Sequence, residues 1–317
     1  ADNVIDLALR TDKVFENYQE PVGEIDGQKV TGMNCYPEMR DAHHLVAKAA
    51  ADETCVLLKN DGTLPLKPTD KVVVIGYFAQ APRYQGAGSS LVNCTKLDNF
   101  VDLKDKYKFE YIGFAQGFDR YGKKNKKLVK EALELAAKAE VIVYFMGLDE
   151  VTESEGLDRT DLNVHHNQVE LLEQLKPLDK KIVVILSGGS VIDLSWDNNC
   201  DALLNTSLAG QAGSNSILDI INGDVNPSGK TSETYICSYE DTPSKENFAG
   251  AYDVSIKYKE SIYIGYRYFE KAEVAVKYPF GYGLSYTTFS QKIVKSNVKN
   301  GTITSGKEKI TVDVEVE

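Results

Sequence analysis

Cysteine is scarce and scattered: Cys35, Cys55, Cys94, Cys200 and Cys237 are five in 317 residues, and no two form a C-x-x-C pair. That excludes a zinc knuckle, a dithiol redox pair and a disulfide framework. They read as buried free thiols, and the odd count leans toward a reducing compartment, the cytoplasm, over secretion. Histidine is rarer, with four residues in two adjacent pairs, His43 with His44 and His165 with His166. Neighbours on a helix point apart, so neither pair chelates one ion as an i, i+4 pair does, and no metal or cofactor is expected. Positive charge is in deficit: 36 Lys and Arg against 47 Asp and Glu leave a net charge of -11, which repels phosphate backbones and excludes nucleic acid as a partner. No Gly-x-Ser-x-Gly elbow supports a serine nucleophile. Asp2, Asp6 and Arg10 interrupt the first ten residues, which therefore lack the pattern of a signal peptide. Hydrophobic residues at 42% and charged residues at 26% argue against both disorder and a membrane-spanning chain.

What is present is an alternation. Val4, Ile5, Leu7, Ala8, Val14 and Phe15 have helical spacing, and a second helix is expected over 38–58 on an apolar face of Leu45, Val46, Ala49, Ala50, Val56, Leu57 and Leu58. Strands are expected at 71–78, 141–148, 181–187 and 202–208, with helices at 127–139, 167–175 and 212–222 between them. Short β-branched runs separated by helices predict an α/β fold, a mainly parallel sheet sandwiched by helices. From 309 to 316 apolar and polar residues alternate as in an antiparallel strand with one wet face. A lone opening helix and a chain ending within a strand make both ends read as cuts from a longer protein.

Three glycine-rich stretches fall short of nucleotide motifs. Gly86, Ala87, Gly88 and Ser89 lack the third glycine of a dinucleotide fingerprint. In Gly223–Thr231 five residues separate the glycines where a Walker loop has four, and a helix precedes them, so the stretch reads as a helix-ending turn. Ser187–Ser190 reads as a strand-to-helix turn. The chemically distinctive stretch is Asp149–Arg159, with Asp149, Glu150, Glu153, Glu155 and Asp158 directly after the central strand. Loops at the carboxyl ends of parallel strands are where ligands meet such folds. Crowded carboxylates raise the proton affinity of the least solvated one, a route to a general acid. A solvated acidic loop is the plain alternative.

The order of motifs resembles family 3 glycoside hydrolases. Ala49–Leu66 (AAADETCVLLKNDGTLPL) is similar to the entry into that family's second domain, and Glu153–Leu162 (ESEGLDRTDL) with Gln168 to its acid/base loop. Leu208–Gly213, Gly223–Lys230, Tyr258–Phe269 and Pro279–Phe289 follow in the same order. The resemblance implies three segments: 1–38, the last helix of a preceding (β/α)8 barrel plus linker; 39–290, an α/β-sandwich domain; and 291–317, the start of a fibronectin type III-like domain. It further implies a retaining, exo-acting β-glycosidase of the β-glucosidase kind, acting on oligo- or aryl-glycosides. In that family the nucleophile is an aspartate on the barrel, and the acid/base glutamate comes from this domain. Relatives place the acid either directly before the loop glycine or three positions before it, which makes Glu155 and Glu153 the candidates, with Glu153 preferred. Asp158 and Arg159 are read as loop anchors, and Gly86–Ser90 as a loop near the domain interface. The family's usual Leu-Pro ahead of the glutamine is replaced by Asn163, Val164, His165, His166 and Asn167. The rivals are a structural or carbohydrate-binding domain without catalysis and, further off, a flavodoxin-like nucleotide binder.

With the barrel absent, the chain alone is expected not to turn over p-nitrophenyl β-glucoside. A rate above background that disappears in Glu153→Ala and Glu155→Ala would refute this.

Overall fold

The computed structural model describes residues 2–15, 22–25, 28–31, 37–248, 255–298, 306 and 309–317. Helix α1 (Asp2–Phe15) and the hairpin β1 (Val22–Ile25) with β2 (Gln28–Thr31) precede the main body. The body runs α2 (Pro37–Thr54), β3 (Val56–Asn60), β4 (Lys71–Ile75), α3 (Tyr77–Gln80), β5 (Glu110–Ala115), α4 (Lys126–Ala136), β6 (Val141–Gly147), α5 (His166–Leu175), β7 (Lys181–Ser187), β8 (Ala202–Ser207) and α6 (Gly213–Asn222). After it come β9 (Tyr235–Ile236), α7 (Tyr266–Lys271) and β10 (Val276–Tyr278), then β11 (Gln291–Ser296) and β12 (Val312–Val316).

Six strands form one sheet in the order β3-β8-β7-β6-β4-β5. All neighbours are parallel except β3, which runs antiparallel to β8 at the edge. Every residue of β6 is buried, as a central strand covered on both faces requires. Helix α2 packs against α6 and α4 against α5. The Asn125 side chain accepts from the Lys127 and Leu128 N–H groups and so starts α4. Gly223 closes α6, so the Walker-like stretch is indeed a helix-ending turn. The mainly parallel sandwich expected from the alternation is therefore present. The connections leaving β4 and β6 depart toward opposite edges of the sheet, so a crevice opens between their carboxyl ends.

Three local expectations are corrected. The helix placed over 38–58 ends at Thr54, and Val56–Asn60 forms β3 on the open edge of β8. Its supposed inner face is outward: Leu45 and Val46 are 65% and 67% exposed, while His44, Ala51 and Cys55 are buried. A run of apolar residues at helical spacing cannot say which neighbour will cover it. Strand 71–78 stops at Ile75, where Gly76 turns the chain into α3. Strand β5 was not anticipated, because its half-buried edge position relaxes the demand for continuous apolar residues. At the far end, β11 and β12 pair antiparallel, with Ile293, Val312, Val314 and Val316 exposed. Pro279–Tyr286 is stitched back to the sheet: the Leu284 N–H donates to the Leu57 carbonyl at 2.8 Å.

Gly76 sits at φ 117°, and a Cβ there would stand 2.0 Å from the Phe145 carbonyl oxygen. Gly76→Ala is expected to cost on the order of 3 kcal/mol through backbone strain and overpacking. Urea unfolding measures it, and an unchanged midpoint would contradict the close β4–β6 packing.

Candidate functional site

The loops that follow β4, β6 and β7 converge at the carboxyl end of the sheet, and Asp149 organises them. It is the second residue after β6 and wholly buried. Its Oδ1 accepts from the Val151 and Thr152 N–H groups at 2.7 and 3.0 Å; its Oδ2 accepts from Thr152 Oγ1 at 2.7 Å and lies 2.5 Å from His165 Nε2. Burial is the largest influence and favours the protonated acid, but the bonds from Thr152, Val151 and His165 together hold Asp149 below the ordinary aspartate range. Just behind it, buried Gln168 reads the end of β6 with both ends of its amide: Oε1 accepts from the Gly147 N–H at 2.8 Å and Nε2 donates to the Gly147 carbonyl at 2.9 Å. The acidic loop thus leaves the strand in a defined direction.

Its glutamates diverge. Glu150 turns to one side, where Arg120 donates through Nε at 2.9 Å and Nη2 at 2.6 Å and the Tyr121 hydroxyl donates at 3.0 Å. Burial opposes its ionisation, yet these donors hold it below the ordinary range. Glu153 turns inward across the sheet end. Its Oε2 accepts from the Gly189 N–H at 2.8 Å, its Oε1 from the Ser190 hydroxyl at 2.5 Å, and Arg83 Nη2 stands 3.8 Å away. The same Nη2 donates to the Glu153 carbonyl at 3.0 Å. Arg83 is buried, and its Nη1 has no partner among the described residues. Glu155 points outward and is exposed; its Oε2 accepts from both the amide and the hydroxyl of Ser89, which hold it below the ordinary glutamate range.

The two residues read as anchors part company. Arg159 Nη1 donates to Ser190 Oγ at 2.9 Å and to the Val191 carbonyl at 2.8 Å, tying the acidic loop to the loop after β7. Asp158 is exposed and makes no ion pair with it. Beside Glu153 lies a cavity of about 360 Å³ lined by Gly189, Ser190, Leu208, Lys230 and Glu233, among others. Surrounding protein, and then the Glu153 charge, push the Glu233 carboxyl upward, while Arg159 opposes them.

Arg83, Ser89, Gly189, Ser190, Glu233 and the Asp149–His165 contact were not anticipated as site residues. They come from segments far apart in sequence, and none falls in a motif whose spacing reports chemistry. The available signal was positional: Ser187–Ser190 follows a strand parallel to β6, so its turn had to reach the same sheet end. The Gly86–Ser89 turn that would cradle a phosphate is engaged by the Glu155 carboxylate, which disfavours the flavodoxin-like reading.

Residues 55–286 match the family model described as the glycosyl hydrolase family 3 C-terminal domain. Thermostable β-glucosidase B of Acetivibrio thermocellus is 38% identical over 266 residues, covering 82% of this chain and 35% of that protein. An exo-α-(1→6)-L-arabinopyranosidase of Bifidobacterium longum is 39% identical over 280 residues, covering 84% of this chain and 37% of that protein. Among solved structures, a family 3 β-glucosidase of Bifidobacterium adolescentis superposes with a TM-score of 0.75 at 43% identity, over 80% of this chain and 37% of the other. The chain thus spans little more than a third of the length of these relatives.

Because Asp149 titrates lower folded than unfolded, its contribution to stability is complete above the ordinary aspartate value of 3.8 and drains away as pH falls below it. Urea stability measured from pH 6 to pH 3 should therefore decline more steeply in the wild-type chain than in Asp149→Asn. Parallel declines would remove Asp149 as the charged centre of the loop.

Proposed function

Since the chain belongs to the C-terminal domain family of the family 3 glycosyl hydrolases, we propose that it supplies the proton-donating carboxylate of a retaining, exo-acting glycosidase whose nucleophile lies on a preceding (β/α)8 domain. One observation carries the choice of residue. Of the two candidate glutamates, Glu153 is engaged inward by Gly189, Ser190 and Arg83, whereas Glu155 stands open at the mouth of the crevice. An acid that must act on a sugar held by another domain has to project from its own. Glu155 is therefore assigned as the acid/base, displacing the preference for Glu153, which becomes the residue that folds the loop back against β7.

Retaining glycosidases need two carboxyl groups about 5–5.5 Å apart: one attacks the anomeric carbon, and the other protonates the departing oxygen and then activates water. Alone, this domain leaves Glu155 exposed and ionised at neutral pH, and the Ser89 donors favour that charged form further. A docked partner excludes water and brings a second negative charge, and both changes raise proton affinity. The division of the pair between domains thus makes the acid function a consequence of docking. We keep the segment limits 1–38, 39–290 and 291–317 as part of this reading.

The names of the relatives span a glucosidase and an arabinopyranosidase at nearly equal identity. The domain is accordingly a shared proton donor for terminal pyranosides, with the glycon chosen mainly outside it; a β-glucoside is the first substrate to try. A second reading, a domain that holds sugar without cleaving it, is favoured only by the polar cavity beside Glu153 and Glu233, which is large enough for one sugar ring.

In the protein carrying both domains, Glu155→Ala should slow glucosides with poor leaving groups by about 10²–10⁴-fold and activated aryl glucosides far less, because only the former need the proton. Equal losses for the two substrate types would remove the acid role; the same asymmetry in Glu153→Ala instead would return the assignment to Glu153.

A further inference from the structure

The turn after β4 was set aside as a nucleotide motif, yet it makes both hydrogen bonds that the Glu155 side chain has among the described residues. The Glu155 N–H donates to the Ala87 carbonyl at 3.1 Å. The Ser89 N–H donates to Glu155 Oε2 at 2.8 Å, and the Ser89 hydroxyl donates to the same oxygen. Gly88, at φ 102°, lies against the side chain so closely that a Cβ there would stand 2.6 Å from Glu155 Cβ and 3.0 Å from Oε2. Three consecutive residues thus meet the backbone, the stem and the carboxylate of one glutamate. Glu153, two positions earlier, is turned the other way, and the Ser89 hydroxyl and amide are the main influences that favour the charged form of Glu155.

We propose that Ala87–Ser89 is a holder for Glu155 and that Ser89 is its positioning residue, fixing the carboxylate through Oε2 and leaving Oε1 as the atom that exchanges a proton with a bound glycoside. The inference rests on Glu155 being the acid/base and deepens that assignment. It explains why an exposed loop glutamate is aimed at all: a free glutamate side chain samples several rotamers, whereas two donors on one oxygen select one. It also explains the glycine. Any side chain at position 88 meets both an unfavourable backbone conformation and the glutamate it should admit.

The holder is tested in the chain as it stands, by carbon-13 NMR of the glutamate carboxyls with Glu155→Gln assigning the resonance. In the wild-type chain the Glu155 carboxyl should titrate below the ordinary glutamate value of 4.5, and the Ser89 amide proton should follow with the same midpoint. In Glu155→Gln that amide titration should vanish. Ser89→Ala keeps the amide but loses the hydroxyl, so the Glu155 midpoint should shift upward; Ser89→Thr should restore it, and Gly88→Ala should raise it by displacing both donors. Ser89 is exposed, so a wild-type spectrum away from the turn is expected in its variants. An unchanged Glu155 midpoint in Ser89→Ala, or a Ser89 amide that ignores Glu155, overturns the holder. The leaving-group experiment on Glu155→Ala judges the acid/base assignment separately, so the failure of one is not confused with failure of the other.

Discussion

A carboxylate taken entirely out of water at the end of the central strand is the constraint on which the rest of the site depends. Burying Asp149 is unfavourable unless donors replace its lost hydration, and the nearest donors are the amides and hydroxyl of the two residues that close the turn after it. Satisfying the charge therefore bends the chain, and the bend decides where residues 150–159 begin. His165, the residue that precedes α5, closes the arrangement from the other end of the same loop. Its imidazole thus ties the start of α5 to the same buried carboxylate.

From that fixed origin the loop distributes its acids among separate partners. Glu150 goes to Arg120, Glu153 to the turn after β7, and Glu155 to the turn after β4. Separation matters electrostatically. Held together in one cluster, the carboxylates would raise one another's proton affinity without regard to which one faces the substrate. Held apart, each takes its protonation from its own surroundings, and the one left at the surface responds to whatever docks there. The apolar side chains of Leu91, Val92, Leu97, Val151 and Leu157 are exposed on these same loops. Water leaves such a rim readily when another surface covers it.

Much of the frame was legible because burial on both faces of a parallel sheet forces continuous apolar strands, as in β6 and β7. The same logic failed at β5, where the edge relaxes it, and at α2, where Leu45 and Val46 obey helical spacing but face outward. At the site, the carboxylate density of 149–158 after a central strand marked the loop on which the proposed acid lies. It could not separate Glu153 from Glu155, since two residues in one loop differ in role only through what each one touches. The partners of Arg83, Ser89 and Ser190 were invisible for a similar reason: a single serine or arginine gains meaning only from a partner 30 to 70 positions away.

The amino-acid sequence by itself determined the class of fold, the order of its buried central strands and the location of the acid-rich loop, because each follows from periodicity and composition over a few neighbouring residues. Only the tertiary structure decided which acid is drawn inward and which stays exposed at the surface. That choice depends on donors carried by three loops distant in the chain, and they are brought together solely by the parallel register of the strands that end beneath them.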